Sequence, residues 1–340
     1  MVNKKIKYIQ DKIQKNEVLL VINKSNLFYL TDKNFDGYSL VIFKNFIKVL
    51  TSEMFYFQLR DVFEKKDIIV ENDFFKQILR LDFKNKIIFI DDINSLSVSV
   101  YEFLKKNFTI KFNNIIFDMR KLKTEEEIYR IRRAVNIIKN IIADIKKIIK
   151  VGIKEIEVKN YILKRFIENN VEAAFDPIVA FDENTSYPHH ISSTKKFKKQ
   201  SIVLIDLGCK YKGYCCDITR MYNIEKNNRV KDLYFKLKNL QKDLISMCKE
   251  GVKVKDIDTY ARNYFKKLGL ERNYLHSTGH GIGVDIHELP RIYFNNEDIL
   301  KKNIVITIEP GIYFYNKFGL RIEDDIICRG DYSQVITEDV

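Results

Sequence analysis

Short apolar runs alternate with helical periodicity through the first part of the chain. The segments EVLLVI (17–22), SLVIFKNFIKVL (39–50), KDIIVE (66–71) and NKIIFI (85–90) read as β-strands, and NDFFKQILRL (72–81) reads as a helix between two of them. The pattern predicts a small N-terminal α/β domain. FDMRKLKTEEE (117–127) reads as a polar link, which divides the chain into domains 1–118 and 119–340. Thr124 and Glu127 have the spacing of a capping box, and Ile128, Ile131, Val135, Ile138, Ile142 and Ile145 recur at helical spacing after it, with Gly152 as the expected end. Further helices fit 155–169, 229–249 before Gly251, and 255–268 before Gly269. Strands fit SIVLIDLG (201–208), GYCCDITRMY (213–222), NIVITIEPGIYF (303–314) and GLRIEDDIIC (319–328). No solenoid repeat or low-complexity block interrupts this order.

Two of those strands carry an acid where the pattern asks for an apolar residue, Asp206 in SIVLIDLG and Glu309 in IVITIEPG. A buried ionised carboxylate is expensive, by at least several kcal/mol, unless it is paired or holds a metal. Asp217 follows Asp206 by eleven residues, and pairing of the two strands as a hairpin puts both acids on one side at neighbouring positions. Glu323 lies on a strand reached after the Pro310-Gly311 turn, so four acids converge on one sheet face. Any one alone would be an ordinary salt-bridged or strand-end acid. Arg220 and Arg321 are available to pair with two of the four, whereas lysines are too flexible and too strongly hydrated to be the usual partners.

Two divalent cations balance four carboxylates and can hold a bridging hydroxide between them. The nitrogen ligand expected is His280, because the glycines of GHGIG allow close backbone approach. An oxygen-rich set with one imidazole suits manganese first, with cobalt, iron or zinc as alternatives, and does not resemble a thiolate zinc site.

Composition points to the same half of the chain. Residues 1–150 contain no His, Pro or Cys and one glycine, Gly37, while the remainder holds every His and Pro and eleven glycines. Three of the five histidines, His276, His280 and His287, fall within HSTGHGIGVDIHELP. The five cysteines are odd in number and lack CxxC spacing, so free thiols are expected, with Cys215 and Cys216 facing opposite ways on a strand. The net charge of +13 is spread along the chain beside abundant Ile and Asn, a general residue bias, and no nucleic-acid partner is expected. No run approaches ~18 apolar residues and the start lacks a signal-peptide pattern, so the reading is a cytoplasmic protein without a membrane partner.

At FDPIVA, PHH, VLIDLG, GYCCDITR, HSTGHGIGVDIHELP, TIEPGIY and RIEDD, over roughly 120–330, the chain resembles the pita-bread metallopeptidases, and within them the Xaa-Pro aminopeptidases and Xaa-Pro dipeptidases, or prolidases. The resemblance implies an α+β fold: a C-terminal pita-bread domain behind a smaller N-terminal α/β domain like that of creatinase. It implies that Asp206 binds one metal, that Asp217 and Glu323 bridge two, and that His280 and Glu309 complete the other. It further implies that His189, His276 and His287 line the substrate site near Arg321, that His276 and His287 hold the scissile carbonyl, and that Glu309 shuttles the proton. The substrates implied are short peptides cut before proline by metal-hydroxide attack, and the assembly implied is a homodimer. His190 departs from the pattern, standing where the usual PHG has glycine, and TRM replaces the commoner TRT. Competing readings are a methionine-type aminopeptidase with the same ligands, disfavoured by the extra domain and by HELP, a metal-free creatinase-like amidinohydrolase, and a non-enzymatic binding module, which characteristically loses the ligands present here.

Overall fold

The computed structural model describes residues 4–338, and the chain divides into two compact units, Met1–Arg120 and Lys121–Val340. In the first, six strands form a mixed sheet in the order Ile68–Val70, Ile47–Thr51, Tyr38–Phe43, Glu17–Val21, Ile87–Ile90 and Thr109–Phe112. The run expected as one strand over 39–50 is a hairpin that pairs Ile42 with Ile47. Alternate residues Val18, Leu20, Val41, Leu50, Ile88 and Ile90 bury one face of the sheet. The polar link expected at 117–127 is partly helical, over Ile115–Lys121. Asn113 accepts a hydrogen bond from Ile115 N–H at 2.8 Å, and Ile116 is buried, so a side-chain cap and one apolar anchor suffice where charge obscures the periodicity.

The second unit is organised by two long antiparallel hairpins. The first pairs Val203–Leu207 with Ile218–Tyr222, Asp206 opposite Thr219, and continues in the same register through Lys210 opposite Cys215 to Tyr211 opposite Tyr214. Lys212 and Gly213 close it with φ of 45° and 82°, a two-residue turn of the kind that matches strand twist. The second pairs Val305 with Ile327 and Ile308 with Asp324, then Gly311 with Arg321 and Phe314 with Phe318. An isolated bridge between Thr219 and Glu323 joins the two hairpins.

Helices back this framework. Glu125–Ile148 opens with the expected reciprocal cap, Glu127 N–H to Thr124 Oγ1 at 3.3 Å and Thr124 N–H to Glu127 Oε2 at 2.8 Å, and buries the predicted isoleucine stripe. It ends at Ile148, short of Gly152, which sits in the following turn at φ 96°. Asn228–Met247 and Val254–Lys267 cover the core formed by Ile306, Ile308, Ile312, Leu320 and Ile326, so period two turns Glu309, Arg321 and Glu323 to the opposite face. All five cysteines are free and buried; Cys215 Sγ meets Val284 O while Cys216 Sγ lies 3.9 Å from Cys209 Sγ, on opposite sides as expected. Among the described residues no helix is long and apolar enough to cross a membrane.

Both hairpins are interrupted at an acid. Gly208 stands across from Asp217 in the first, and a Cβ there would lie 2.3 Å from Cys216 O. Gly208→Ala should therefore force the strands apart and lower the unfolding free energy in urea by about 1–3 kcal/mol; a wild-type midpoint would show that the close approach is dispensable.

Candidate metal centre

Each acid is placed by backbone pairing. In the first hairpin Asp206 faces Thr219, and Asp217, two residues before Thr219, shares its face. In the second, the register that pairs Ile308 with Asp324 and Gly311 with Arg321 sets Glu309 across from Glu323, at the point where Pro310 offers no N–H to the ladder. Glu323 N–H donates to Thr219 O at 3.3 Å, and the Thr219 hydroxyl donates to Glu323 Oε2 at 2.7 Å, which brings the second pair of acids against the first.

His280 enters from a third strand, Gly279–Gly281, whose Gly281 pairs with Ile306. A Cβ on Gly279 would lie 2.0 Å from Thr307 O, so bare backbone is required for this docking. His280 Nδ1 is 3.0 Å from Gly281 O and donates to it, which leaves Nε2 as the unprotonated nitrogen. Nε2 lies 3.4 Å from Glu309 Oε1 and 3.9 Å from Asp217 Oδ2. A divalent ion held at about 2.1 Å spans about 4.2 Å between opposed ligands, so these separations suit a shared ion. Asp217, His280 and Glu323 form a group whose ligand atoms all lie within 4.8 Å of one another. Glu309 joins it through His280, and Asp206 flanks it with Oδ2 held by Arg321 Nη2 at 2.5 Å.

Electrostatics explain what the cluster needs. Burial, then the charges of Glu323 and Asp206, push the Asp217 carboxyl well above the carboxylate range. Glu323 is driven the same way by burial, Glu309 and Asp206, and Glu309 rises to about 8, chiefly through burial with Asp206 adding and Arg321 opposing. Burial, with the His287 ring beside the first and Arg321 beside the second, holds His280 down to about 3 and His276 to about 4, so both are neutral ligands or acceptors near pH 7. Asp206 Oδ1 and Asp217 Oδ1 are buried with no hydrogen-bond partner. Orphaned carboxylate oxygens, mutually repelling acids and a neutral imidazole nitrogen fit a divalent metal centre.

The remaining histidines divide by environment. His189 and His287 are exposed, and their rings hydrogen-bond to no described residue; His287 packs edge-on against His280 at 4.3 Å. His276 is engaged at both nitrogens. Nδ1 donates to Ser277 O at 2.8 Å, and Nε2 accepts from the Tyr313 hydroxyl at 2.9 Å. That hydroxyl in turn accepts from Arg321 Nη1 at 2.8 Å. Arg220, expected as a partner for one of the four acids, instead binds Asp324 Oδ1 at 2.7 Å and Glu323 O at 2.6 Å, because it alternates to the other face from Asp217 and Thr219.

Several supporting residues escaped the sequence reading. Besides Tyr313 and Thr219, Asp258 is fully buried and accepts from Thr278 N–H and hydroxyl, from Phe294 N–H and from Arg262 Nε. It fixes Thr278, between His276 and the strand Gly279–Gly281 that carries His280. A signal existed: Asp258 falls on the apolar stripe Val254, Ile257, Ala261 and Phe265, where a solvated acid does not belong. Asp325 accepts from Asp217 N–H at 3.1 Å and supports it from behind.

A family model, metallopeptidase family M24, matches residues 129–329, and the chain belongs to that family. It is thus a hydrolase of a class that works with divalent metal ions. It is 32% identical over 356 aligned residues to an Xaa-Pro dipeptidase of Pyrococcus horikoshii, covering 99% of this chain and 98% of the relative. Among solved structures, the prolidase of Pyrococcus horikoshii OT3 superposes with TM-score 0.90 at 30% identity, over 98% of this chain and 97% of that one. An Xaa-Pro dipeptidase from Bacillus anthracis also gives TM-score 0.90, at 26% identity over 99% and 97%. The fold is the pita-bread domain with its smaller N-terminal α/β partner, as the sequence motifs imply.

The raised carboxyls fix a sign. In the metal-free protein the stability linked to Glu309, Asp217 and Glu323 is complete below the ordinary carboxylate range and is lost as pH rises, for Glu309 through about 8. Metal replaces the lost protons, so manganese should raise the thermal midpoint more at pH 8 than at pH 5.5, by the equivalent of about 2.7 kcal/mol per site at a hundredfold excess over Kd. A shift independent of pH would exclude these acids as ligands.

Proposed function

We propose that the chain is a dinuclear-metal exopeptidase that hydrolyses the bond before proline in short peptides, in the first place an Xaa-Pro dipeptidase. The observation that carries this reading is the group of Asp217, His280 and Glu323, with Glu309 at His280 and Asp206 beside it, in a chain related over nearly its whole length to an Xaa-Pro dipeptidase. Asp206 and Asp217 would hold one ion, His280 and Glu309 the other, with Asp217 and Glu323 shared. The oxygen-rich donor set favours manganese. Action as a cytoplasmic homodimer belongs to the same proposal, and sedimentation tests the dimer.

Bound divalent ions supply Lewis-acid charge and an acidified water near neutral pH. The chain's own groups do the rest. His189 and His287, with ring nitrogens uncommitted to the described protein, bind the scissile carbonyl and the charge that develops on it. His276, expected with His287 to hold that carbonyl, instead has both ring nitrogens engaged, by Ser277 O and the Tyr313 hydroxyl; it stays neutral and orients Tyr313 and Arg321, and Arg321 holds Asp206. Glu309, 3.4 Å from His280 Nε2 and ionised once metal has replaced its proton, takes the proton released on attack and delivers it to the prolyl nitrogen. That nitrogen carries no N–H before cleavage, so the peptide is selected by shape and by its carbonyl.

Purified protein with manganese should hydrolyse Ala-Pro faster than Ala-Pro-Ala; the reverse order would assign an aminopeptidase P, and cleavage of Met-Ala alone a methionine-type enzyme. Asp217→Ala should abolish turnover with an unchanged circular dichroism spectrum. His287→Ala should lower kcat by about 100-fold to 1,000-fold, the range for loss of one oxyanion donor, and activity equal to wild type would remove that role.

A further inference from the structure

The segment that carries His189 is gripped by a carboxylate that the reaction does not use. Glu155 opens the helix Glu155–Glu168 and lies on its buried stripe with Val158, Ile162 and Phe166; it is fully buried (0% exposed). Oε1 accepts from Phe181 N–H at 2.7 Å and from the Asn184 amide at 2.9 Å. Oε2 accepts from the His190 ring at 2.9 Å, from Ser193 N–H at 2.9 Å and from the Ser193 hydroxyl at 2.6 Å. The five donors come from both ends and the middle of one loop, 181–193. Burial alone would raise this carboxyl, but the donors outweigh it and hold the group at about 2, so it is ionised at any working pH.

The same loop is fastened to the second hairpin. Arg321 Nη1 donates to Pro188 O at 3.3 Å, and Gly319 N–H donates to Thr185 Oγ1 at 2.8 Å. His189 sits between these two sets of anchors, and its ring hydrogen-bonds to no described residue. Its position therefore depends on the backbone that the anchors fix. His190, next to it, is the nearest link to Glu155, and a glycine there would leave no side chain to make it.

We infer that Glu155 and His190 form a positioning pair that sets the placement of His189 for substrate, with His190 determining how firmly the middle of the loop is held. The role of the loop in turnover rests on the peptidase reading above; the anchoring itself does not. A charge-assisted hydrogen bond from a ring N–H to an ionised carboxylate is among the stronger single contacts a loop can make. Small misplacement of a substrate-binding group is amplified in rate.

The test compares the full-length wild type with His190→Ala, His190→Gln and Glu155→Gln by three measurements: hydrogen exchange of the metal-free protein, bound manganese, and steady-state hydrolysis of Ala-Pro. His190→Ala and Glu155→Gln should speed exchange across 181–193 and leave strand 203–207 protected. Bound metal should stay at the wild-type level while kcat/KM falls about tenfold, mainly through KM. His190→Gln, which keeps a donor, should recover most of both losses. Unchanged loop exchange in His190→Ala overturns the inference, as does faster exchange with wild-type kcat/KM in an active enzyme. If the wild type fails to cleave Xaa-Pro while the loop responds as described, the peptidase reading falls and the anchor stands.

Discussion

Mutual repulsion among four carboxylates, three buried and Glu309 partly so, is the constraint around which the second unit is built. Neighbouring negative charges, Asp206 among them, raise the proton affinity of Asp217, Glu309 and Glu323, while Asp206 itself is bound by Arg321. A fold that relied on apolar packing alone would expel such a group. Three of the acids sit where the hairpins are broken, Asp217 across from Gly208 and Glu309 across from Glu323 before Pro310, so that backbone pairing on either side carries the structure past them; Asp206 stays within its ladder, opposite Thr219.

The same device recurs around the centre in a milder form. Asp258 and Glu155 each occupy a position on the buried face of a helix; Asp258 collects four donors, from Arg262 on its own helix, Thr278 and Phe294, and Glu155 collects five from the loop 181–193. One fixes the segment of His276 and His280, the other the loop of His189. Helices, which are rigid, thus hold loops, which are not, through single ionised groups. That arrangement supplies geometric control without placing the controlling residue near the reacting atoms.

Much of this was legible in the sequence because burial and polarity conflicted there. Asp206 and Glu309 interrupt apolar strands, and the glycines beside His280 signal close approach. The hairpin of Asp206 and Asp217 followed from their eleven-residue spacing, and the capping box at Thr124 from two residues alone. What stayed hidden had its signal diluted. Ile115–Lys121 is a helix with a single deeply buried apolar residue, and strand 39–50 conceals a tight hairpin because both arms are apolar. Tyr313 is an ordinary strand residue by pattern, and only the folded register brings its hydroxyl between His276 and Arg321. Asp258 and Glu155 were readable as acids on apolar stripes, yet each lies in the first turn or so of its helix, where an acid is also favoured by the dipole.

The Thr219–Glu323 bridge joins residues 104 positions apart along the chain. Neither hairpin by itself contains a complete set of donors, so the pocket comes into being only when the later segment docks onto the earlier one. A nascent or truncated chain therefore holds only part of the donor set, and cofactor loading becomes a readout of finished assembly.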